Sequence, residues 1–487
     1  MFPEILLSDL AEAVHGVVVG SDRIPIRDVT HDSRQAGPGA LFVAVRGFTT
    51  DGHLFLPEAV ANGAAALCVE ERQDAAIPQL IVTDGRTALP TLAATVHHHP
   101  SRRLRVVGVT GTNGKTTVAY LLESIALAAG LSSGVVGTIG ARIAGRPVPV
   151  GRTTPEATDL QRLLARMVDQ TVDIAAIEVS SHALALHRVD EVSFTVAAFT
   201  NLAQDHLDFH KNMDDYFEAK VTLFESGRAD RAVIWVDDPF GSRLAGRVTI
   251  PVTRVGMRPG AEVRATSVEV TPTGSRFELV LREGSRDVEL PLGGAFNIEN
   301  ALVAAACARE LGVGLDDIED GLRTIPQIPG RFEKIDEGQD FAVIVDYAHT
   351  PEGIEAAVAA ARSVSAGTVI VVVGAGGDRD RLKRPRMGRA AAGADVAIIT
   401  SDNPRSEDPL AIIAEVVAGM GERSAGLQVV PDRRSAIRTA VHAASAGDVV
   451  LILGKGHEQG QEIADRVEPF DDRVVAGEEL VRLGVAS

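Results

Sequence analysis

The stretch that decides the fold is "GVTGTNGKTTVAYLLESIALAAG", residues 108–130. An apolar run leads into the turn from Gly111 to Lys115, and strong helix formers follow. A strand, a Gly-rich turn and a helix in this order are the setting of a phosphate-binding loop, where backbone N–H groups at the helix N-terminus hold phosphate oxygens. The sequence therefore predicts a nucleotide site with Lys115 neutralising phosphate and the Thr116 hydroxyl available to magnesium.

This loop is a variant, because Val109 stands where the strict G-x-x-x-x-G-K pattern has its first glycine. A Gly-rich turn that binds no nucleotide is therefore the alternative interpretation. The agreement of strand, turn, Lys-Thr-Thr and helix favours the nucleotide site.

The whole chain has the composition of a multidomain globular protein. Its 487 residues predict two or three domains, and its formal charge of −18 argues against wrapping nucleic acid. No apolar run approaches the roughly 18 to 20 residues of a membrane span, and the N-terminus does not resemble a signal peptide. We therefore expect a cytoplasmic protein without a membrane or nucleic-acid partner, in which Cys68 and Cys307 are small buried hydrophobes.

Three α/β regions follow from the patterning. Residues 1–98 mix short strands and helices, and residues 99–330 alternate apolar strands with helices, which predicts a parallel sheet. Within this region, residues 250–292 change to a period of two, which predicts an appended β-hairpin region. Residues 331–487 alternate again and end three strands in Gly-rich loops, so they predict a Rossmann-like domain with a second half-site. The prolines and glycine of "IPQIPGRFEKID" suit a hinge between them.

Lysine is rare in this chain, with six lysines among 48 basic residues. One of them, Lys220, falls on the apolar face that Phe217, Val221 and Phe224 form in the helical "MDDYFEAKVTLF". A charged amine is costly to bury, so Lys220 either extends its ammonium to solvent or is modified or paired in an active site. Nearby, Glu178 ends an apolar strand and His206 lies in "TNLAQDHLDFH"; Glu178 is either a magnesium ligand or a solvated carboxylate.

The loop "SDNPR", residues 401–405, follows the strand "DVAIIT". Asp402 can accept hydrogen bonds from an ammonium, and Arg405 can bind a carboxylate with two parallel hydrogen bonds. This pair can recognise the far end of a diamino acid that carries both groups, as diaminopimelate does and L-lysine does not. An ordinary Asn-Pro turn with a solvated arginine is the alternative for the isolated tetrapeptide.

Together, "GTNGKTT", "EVSSHAL", "TNLAQDHLDFH", "FEAK", "FNIENALVAAA", "GRFE", "DYAHTPE" and "DNPR" resemble the Mur ligase family over almost the whole chain. Their order is similar to the MurE type, which adds the third residue of the peptidoglycan stem peptide. The resemblance implies that ATP activates the D-Glu carboxylate of UDP-N-acetylmuramoyl-L-alanyl-D-glutamate as an acyl phosphate. The amine of meso-2,6-diaminopimelate then attacks it.

The resemblance also implies the roles of individual residues. Lys115, Glu178, His206 and Lys220 would be catalytic, and Thr116, Glu178, His206 and a carbamate on Lys220 would hold magnesium. ATP would contact Gly111, Thr112, Asn113, Gly114, Lys115, Thr116, Thr117, Asn297, Arg331 and Asp346. The other substrates would contact Ser33, Thr153, Thr154, Ser180, Arg188, Arg379, Asp402, Asn403, Pro404, Arg405, Gly454 and Glu458. Leu186 departs from the family, where many members have glutamine.

The resemblance further implies that residues 1–98 bind the UDP substrate, that residues 99–330 bind ATP and that residues 331–487 bind the incoming amino acid. The enzyme would be a monomer that acts in cytoplasmic peptidoglycan synthesis. Four alternatives remain at this level. They are the L-lysine-adding ligase of the same type, a folylpolyglutamate synthase-like ligase, a P-loop switch or transport ATPase, and an inactive homologue. The "HDSR" motif argues against the folate enzyme, and the intact Lys115, Glu178, His206 and Lys220 argue against an inactive protein.

Overall fold

The computed structural model describes residues 4–271, 274–421 and 426–484. Its three large sheets follow one another along the chain. The first has the order β2-β7-β6-β5-β4, and all of its pairs are parallel except β2 with β7. The elements of this region are β1 (Ile5–Leu6), α1 (Leu7–Ala13), β2 (Val17–Val19), β3 (Pro25–Ile26), β4 (Asp28–Thr30), β5 (Ala40–Val43), α2 (Leu56–Ala61), β6 (Ala66–Val69), β7 (Gln79–Ile81) and α3 (Gly85–Val96).

The second sheet has eight strands in the order β11-β10-β9-β12-β8-β13-β14-β15. Its elements are β8 (Arg105–Thr110), α4 (Lys115–Ala128), β9 (Ser133–Gly137), β10 (Gly140–Ile143), β11 (Arg146–Val148), α5 (Ala157–Asp169), β12 (Ile174–Glu178), α6 (Ser181–Ala185), β13 (Phe194–Phe199), α7 (Met213–Val221), β14 (Ala229–Trp235), α8 (Pro239–Ala245) and β15 (Val252–Val255). The six neighbouring strands β9, β12, β8, β13, β14 and β15 pair in parallel, while β10 and β11 form an antiparallel edge beside β9.

Strand β8 lies in the interior of this sheet, and its side chains alternate between the two faces. Val107 and Val109 pack in one apolar core with α4, while Val106 packs in the core on the opposite face. Because β8 has β12 and β13 as its two neighbours, the loops that follow these three strands meet at one edge. That edge is where open α/β sheets bind ligands.

The region of period two forms a three-stranded antiparallel sheet, one strand more than a single hairpin. It consists of β16 (Arg264–Val270), β17 (Ser275–Leu281) and β18 (Gly284–Leu290), and α9 (Ala295–Glu310) and α10 (Leu315–Arg323) follow. The predicted helix through Phe224 was too long, because α7 ends at Val221 and a 3₁₀ turn continues over Thr222–Phe224. Phe224 remains buried, so this change of helix type preserves the apolar face.

The third sheet has the order β19-β20-β24-β21-β22-β23, and β19 is its one antiparallel strand among the described residues. Its region contains β19 (Glu333–Ile335), β20 (Ala342–Asp346), α11 (Pro351–Val364), β21 (Val369–Val373), α12 (Lys383–Ala391), β22 (Val396–Ile399), α13 (Pro409–Ala418), β23 (Leu427–Val429), α14 (Arg433–Ala443), β24 (Val449–Leu453), β25 (Gly460–Ile463), β26 (Arg466–Pro469) and α15 (Asp472–Arg482). The adjacent carboxyl ends of β24, β21 and β22 bring the predicted amino-acid loops together.

The segment predicted as a hinge touches the C-terminal region directly. Gly330 has a φ of +63°, and a Cβ atom there would lie 2.0 Å from the backbone nitrogen of His457. Glycine is therefore required by both conformation and space. Cys68 and Cys307 are buried and free, as predicted. None of the helices in the described ranges has the length and apolar character needed to cross a bilayer.

Candidate active site

The loop between β8 and α4 fits its surroundings only because glycine occupies two positions. Gly111 has a φ of +148° and Gly114 a φ of +88°. A Cβ atom on Gly111 would lie 1.9 Å from Thr200 Oγ1, and one on Gly114 would lie 2.2 Å from Asn300 Oδ1. The Thr200 hydroxyl also donates to the Asn113 carbonyl at 2.6 Å. The close approach of these neighbours fixes the loop over the N-terminus of α4, where N–H groups are available to an anion.

Lys115, the first residue of α4, folds back over this loop. Its Nζ donates to the carbonyl oxygens of Gly111 at 2.9 Å and Thr112 at 2.8 Å. Burial lowers the pKa of Lys115, and Arg331 lowers it further, while Glu178 opposes both effects. A partly buried ammonium held mainly by neutral carbonyls gains from an anionic ligand.

A cavity of about 680 Å³ opens beside the loop, between the second and third sheets. It brings together residues that are up to 267 positions apart, from Thr112 to Arg379. The predicted site residues on its wall are Thr112, Asn113, Gly114, Lys115, Thr116, Thr117, Thr153, Thr154, Glu178, Ser180, Arg188, His206, Asn297, Arg331, Asp346 and Arg379. His349, whose role the sequence left open, also lies on this wall.

The predicted magnesium ligands Thr116 and Glu178 have protein partners in this structure. The Glu178 carboxylate, at the end of β12, accepts hydrogen bonds from the Thr138 amide at 2.9 Å and the Thr138 hydroxyl at 3.0 Å. Thr116 Oγ1 accepts from Arg331 Nη2 at 2.9 Å. No cluster of three or more His, Cys, Asp or Glu side chains that could hold a metal occurs within the described ranges.

Lys220 is buried behind the phosphate loop and does not reach the cavity wall. It is 1% exposed, and its Nζ donates to the Gly111 carbonyl at 3.0 Å and the Thr110 hydroxyl at 3.4 Å. The ammonium also lies 4.6 Å from the centre of the Tyr216 ring. Burial places the pKa of Lys220 well below its ordinary value, and the neighbouring Lys115 lowers it further. Of the two alternatives for Lys220, its burial rules out an ammonium that extends to solvent.

Asp205, which precedes the predicted site residue His206, links two regions of the chain. Its carboxylate lies 3.4 Å from His206 Nε2, 3.8 Å from His349 Nε2 and 3.5 Å from Lys383 Nζ. Burial opposes the ionisation of Asp205, but these neighbours hold its pKa below the usual range. Burial lowers the pKa of His206, and Asp205 only partly offsets this. His206 is therefore a neutral imidazole. Its loop is tied to the C-terminal region through the contacts of Asp205 with His349 and Lys383.

The predicted contacts for the UDP substrate divide into two places. Thr154 Oγ1 donates to the Glu178 carbonyl at 2.7 Å, and the Ser180 amide donates to Thr154 Oγ1 at 3.1 Å. Arg188, which is 6% exposed, pairs with Glu156 at 2.9 Å. Ser33 is outside this cavity, because its hydroxyl donates to Glu58 at 2.6 Å within the first region.

The nucleotide side of the cavity contains Asn297, Arg331 and Asp346. The Arg331 guanidinium lies 4.6 Å from the centre of the Tyr347 ring, and its buried Nε has no hydrogen-bond partner among the described residues. The Asp346 carboxylate accepts from the backbone amides of Phe332 and Ala348, both at 2.7 Å. Burial raises the pKa of Asp346. Asp346 therefore shapes its loop, whereas Arg331 has an unused donor for an anion.

The other predicted amino-acid contacts form a cluster away from the cavity wall. Asn403 Nδ2 donates to Glu458 at 2.8 Å, and the buried Lys455 donates to Asn403 Oδ1 at 2.8 Å and Glu458 at 3.0 Å. A Cβ atom on Gly454 would lie 2.5 Å from Asp402 Oδ2. The cluster comprises Asp402, Asn403, Pro404, Arg405, Gly454 and Glu458; of the predicted amino-acid contacts, Arg379 alone reaches the cavity wall.

Several wall residues were not among the predicted site residues. Thr138 and Tyr347 follow strand ends, and Asp205 lies within a motif that the sequence had already singled out. Position after a parallel strand is therefore the signal that could have identified them. Phe296 and Glu299 lie on α9 beside Asn297, and nothing in their helical pattern distinguishes them from packing residues.

Family models match three successive parts of the chain. The Mur ligase family catalytic domain matches residues 25–105, the Mur ligase middle domain residues 109–308, and the Mur ligase glutamate ligase domain residues 330–456. These matches span more than half of the 487 residues. They confirm the resemblance and the three-part α/β fold predicted from the sequence.

Two relatives of nearly full length share the name UDP-N-acetylmuramoyl-L-alanyl-D-glutamate–2,6-diaminopimelate ligase. The protein of that name from Geobacillus thermodenitrificans (strain NG80-2) is 45% identical over 453 residues, which cover 91% of this chain and 93% of the relative. The one from Streptomyces coelicolor (strain ATCC BAA-471 / A3(2) / M145) is 45% identical over 487 residues, covering 97% and 96%.

Solved structures agree with these matches. A structure of UDP-N-acetylmuramoyl-L-alanyl-D-glutamate–2,6-diaminopimelate ligase has a TM-score of 0.70 at 31% identity, and the match covers 99% of this chain and 100% of that one. A folylpolyglutamate synthase from Mycobacterium tuberculosis has a TM-score of 0.63 at 19% identity, covering 80% and 94%. At that identity the second match indicates a shared fold and nothing more.

Proposed function

This chain belongs to the Mur ligase family, and we propose that it joins meso-2,6-diaminopimelate to UDP-N-acetylmuramoyl-L-alanyl-D-glutamate at the expense of ATP. It is a ligase that forms a carbon–nitrogen bond. The relatives' shared name supports this function over the L-lysine-adding and folate alternatives. Of the stereoisomers of diaminopimelate, we propose the meso form as the substrate.

One observation carries this proposal. A single cavity places the phosphate loop with Lys115 beside Thr154, Ser180 and Arg188 on one side and Arg331 on the other. A site that phosphorylates a carboxylate must bring that anion to a triphosphate, and the two repel each other. Cations and backbone N–H groups that converge from separate elements counter this repulsion.

The reaction follows from that arrangement. The D-Glu carboxylate oxygen takes the γ-phosphoryl group of ATP, and ADP leaves. The amine of diaminopimelate then attacks the acyl carbon, an amide forms, phosphate leaves, and the amine loses a proton. During these reaction steps, Lys115 and Arg331 stabilise the charge on the phosphate oxygens, while Arg188 orients the peptide. Closure of the C-terminal region over the cavity, with residues 325–336 as the hinge, would exclude water from the acyl phosphate.

The residues present fit magnesium and a carbamate on Lys220. The Lys220 amine is buried against neutral acceptors, which is the setting in which an uncharged amine takes up CO₂ to become an anionic ligand. We propose that Thr116 and Glu178 hold one magnesium ion, and that His206 and the modified Lys220 serve a second. Magnesium, when bound, neutralises phosphate charge and aligns the reacting oxygens. Each predicted ligand would exchange its present protein partner for the ion.

We propose that Arg405 and Asp402 select the amino acid. Arg405 would bind the carboxylate at the far end of diaminopimelate, and Asp402, Asn403 and Glu458 would surround its ammonium. L-Lysine lacks that carboxylate, so it would leave Arg405 without its ligand. A site with such an unpaired group rejects the deficient analogue by on the order of 10⁴-fold.

The same function implies the protein's setting. We propose residues 1–98, 99–330 and 331–487 as the units that bind the UDP substrate, ATP and the amino acid. We further propose a cytoplasmic monomer that makes a peptidoglycan precursor and so supports cell-wall growth, cell shape and division.

Phosphate release by the purified protein tests this function. The complete reaction contains ATP, magnesium, UDP-N-acetylmuramoyl-L-alanyl-D-glutamate and meso-diaminopimelate, and parallel reactions replace the amine with L-lysine or omit it. We expect release that depends on both the UDP-dipeptide and diaminopimelate. Equal release with L-lysine would contradict the amino-acid assignment, and release without the UDP-dipeptide would contradict the ligase assignment.

A further inference from the structure

Arg405 is held by a second segment of the C-terminal region, β25. Its Nε donates to Glu462 Oε2 at 2.5 Å, and its Nη1 donates to the Gly377 carbonyl at 2.8 Å. The Arg405 side chain is 21% exposed and that of Glu462 is 46% exposed. In this ion pair, Glu462 is therefore half-exposed to solvent, whereas Arg405 is mostly buried.

The backbone reinforces this contact. The Arg405 amide donates to the Glu462 carbonyl at 3.0 Å, and the Ala464 amide donates to the Arg405 carbonyl at 2.7 Å. Arg405 has a φ of +51°, a conformation that a non-glycine residue adopts only when its surroundings hold it there. These bonds fix the backbone position of Arg405, and Glu462 fixes the position of its guanidinium.

The donors that remain point to a function. Within the described ranges, Nη2 of Arg405 makes no hydrogen bond, while Nε and Nη1 are both engaged. Nη1 carries two N–H groups and Gly377 accepts from one of them, so a carboxylate can bind the Nη1–Nη2 edge without displacing Glu462. Gly376 lies beside this edge, since a Cβ atom there would be 3.1 Å from Arg405 Nη1 and 3.8 Å from Arg379 Cγ. The free edge thus faces the loop that carries Arg379 to the cavity wall.

We propose that Glu462 is a positioning residue for amino-acid selection, which holds the Arg405 guanidinium so that its Nη1–Nη2 edge is presented to the distal carboxylate of the substrate. This inference rests on the proposed function. An arginine side chain has several flexible bonds, and fixing it in advance lowers the entropy lost when the ligand binds. Glu462 acts through Arg405 and does not touch the substrate itself.

Kinetics of Glu462→Ala and Glu462→Gln test the proposal. We expect Glu462→Ala to raise the KM for meso-diaminopimelate about tenfold, with the KM for ATP and for the UDP-dipeptide unchanged and kcat within about twofold of wild type. Glu462→Gln retains a hydrogen-bond acceptor for Nε, so it should recover part of the loss. The preference for diaminopimelate over L-lysine should fall with the first variant, because lysine gains nothing from Arg405.

Glu468→Ala is the matched control, since Glu468 is an exposed glutamate on the neighbouring strand of the same hairpin and faces Gln461. It should leave all constants unchanged. An unchanged KM in Glu462→Ala would overturn the proposal, and a lower KM would show that Glu462 competes with the ligand. A parallel rise in every KM would indicate a merely structural role. If wild type itself shows no diaminopimelate-dependent release, the proposed function fails first, and the two failures are thereby distinguished.

Discussion

Two fully buried lysines, one behind the phosphate loop and one in the amino-acid cluster, have opposite surroundings. Lys220 meets a carbonyl, a hydroxyl and an aromatic ring, and burial drives its pKa well below the ordinary value. Lys455 is 0% exposed but lies 3.0 Å from the Glu458 carboxylate and 2.8 Å from Asn403 Oδ1. Among the described residues, Lys220 therefore forms no ion pair and only the charge of Asp205 favours its ammonium, whereas Lys455 pairs directly with a carboxylate.

The difference separates two tasks. Burial disfavours the charged form of an amine that has no carboxylate beside it, so the uncharged Lys220 amine is suited to form a carbamate. A buried ammonium that shares a carboxylate with an asparagine holds three side chains in one arrangement, so Lys455 suits the shaping of a specific pocket. We infer that the central region is built to activate the substrate and the C-terminal region to select the amine.

The largest expected effect is the loss of activity when Lys220, which belongs to the activation task, is replaced. Lys220→Arg keeps a positive charge but cannot form the carbamate, so we expect the rate of phosphate release to fall by at least about 10³-fold. Thermal unfolding should confirm that the variant folds. Activity within tenfold of wild type would show that a cation suffices behind the loop and would remove the distinction between the two lysines.

Replacing each lysine with methionine should change stability in opposite directions. Lys455→Met leaves the Glu458 carboxylate without its cation, so we expect the free energy of unfolding to fall by about 2–3 kcal/mol. Lys220→Met removes a buried charge that forms no ion pair with the described residues, so stability should equal or exceed that of wild type. Urea unfolding in bicarbonate-free buffer measures both. Equal losses in the two variants would contradict the comparison.

The selection task can be isolated at Arg405. Arg405→Ala should raise the KM for diaminopimelate by about 100-fold, because the ligand carboxylate loses a charged partner. The KM for ATP should not change, since ATP binds at the phosphate loop. A matching rise in the KM for ATP would show that the two regions do not act separately.

The smallest expected effect concerns a partly buried acid in the central region, Glu299 on α9. Burial, with Asp237 and Asp238, raises the pKa of Glu299 from 4.5 to about 7. Because the folded-state pKa is raised, the stability contributed by the protonated form is present below about pH 4.5 and is lost as the pH rises through 7. At pH 8, Glu299→Gln should therefore be more stable than wild type by about 1–2 kcal/mol, a figure reduced for partial exposure, with no gain near pH 4.5.

Thermal melts across this pH range measure that gain. Glu289→Gln, at a side chain that is 64% exposed, is the control and should show no such trend. A gain for Glu299→Gln that does not depend on pH would mean that charge is not its cause.

The sequence predicted those features that local patterns encode. The phosphate loop follows from one strand, one turn and one helix, and the position of Lys220 on the apolar face follows from the spacing of Phe217, Val221 and Phe224. The coming together of the "DNPR" loop with Gly454 follows from parallel strands whose ends share an edge. Each of these depends on residues close in sequence or on a general rule of sheet topology.

Contacts between distant residues could not be predicted in this way. Glu462 accepts a hydrogen bond from Arg405, which is 57 positions away in the sequence. Thr138 donates a hydrogen bond to Glu178, which is 40 positions away. Asp346 was expected to contact ATP, yet its carboxylate already accepts hydrogen bonds from two backbone amides. Such pairings depend on side-chain positions that only the packed structure defines.

A competition experiment tests the central claim most directly. The purified protein is given ATP, magnesium and UDP-N-acetylmuramoyl-L-alanyl-D-glutamate with equal concentrations of meso-diaminopimelate and L-lysine, and the nucleotide-linked products are identified by mass spectrometry. Activation in the central region and selection in the C-terminal region predict the diaminopimelate adduct almost alone. Comparable amounts of the lysine adduct would contradict the selection that Arg405 is proposed to make, and the absence of both adducts would contradict the ligase function.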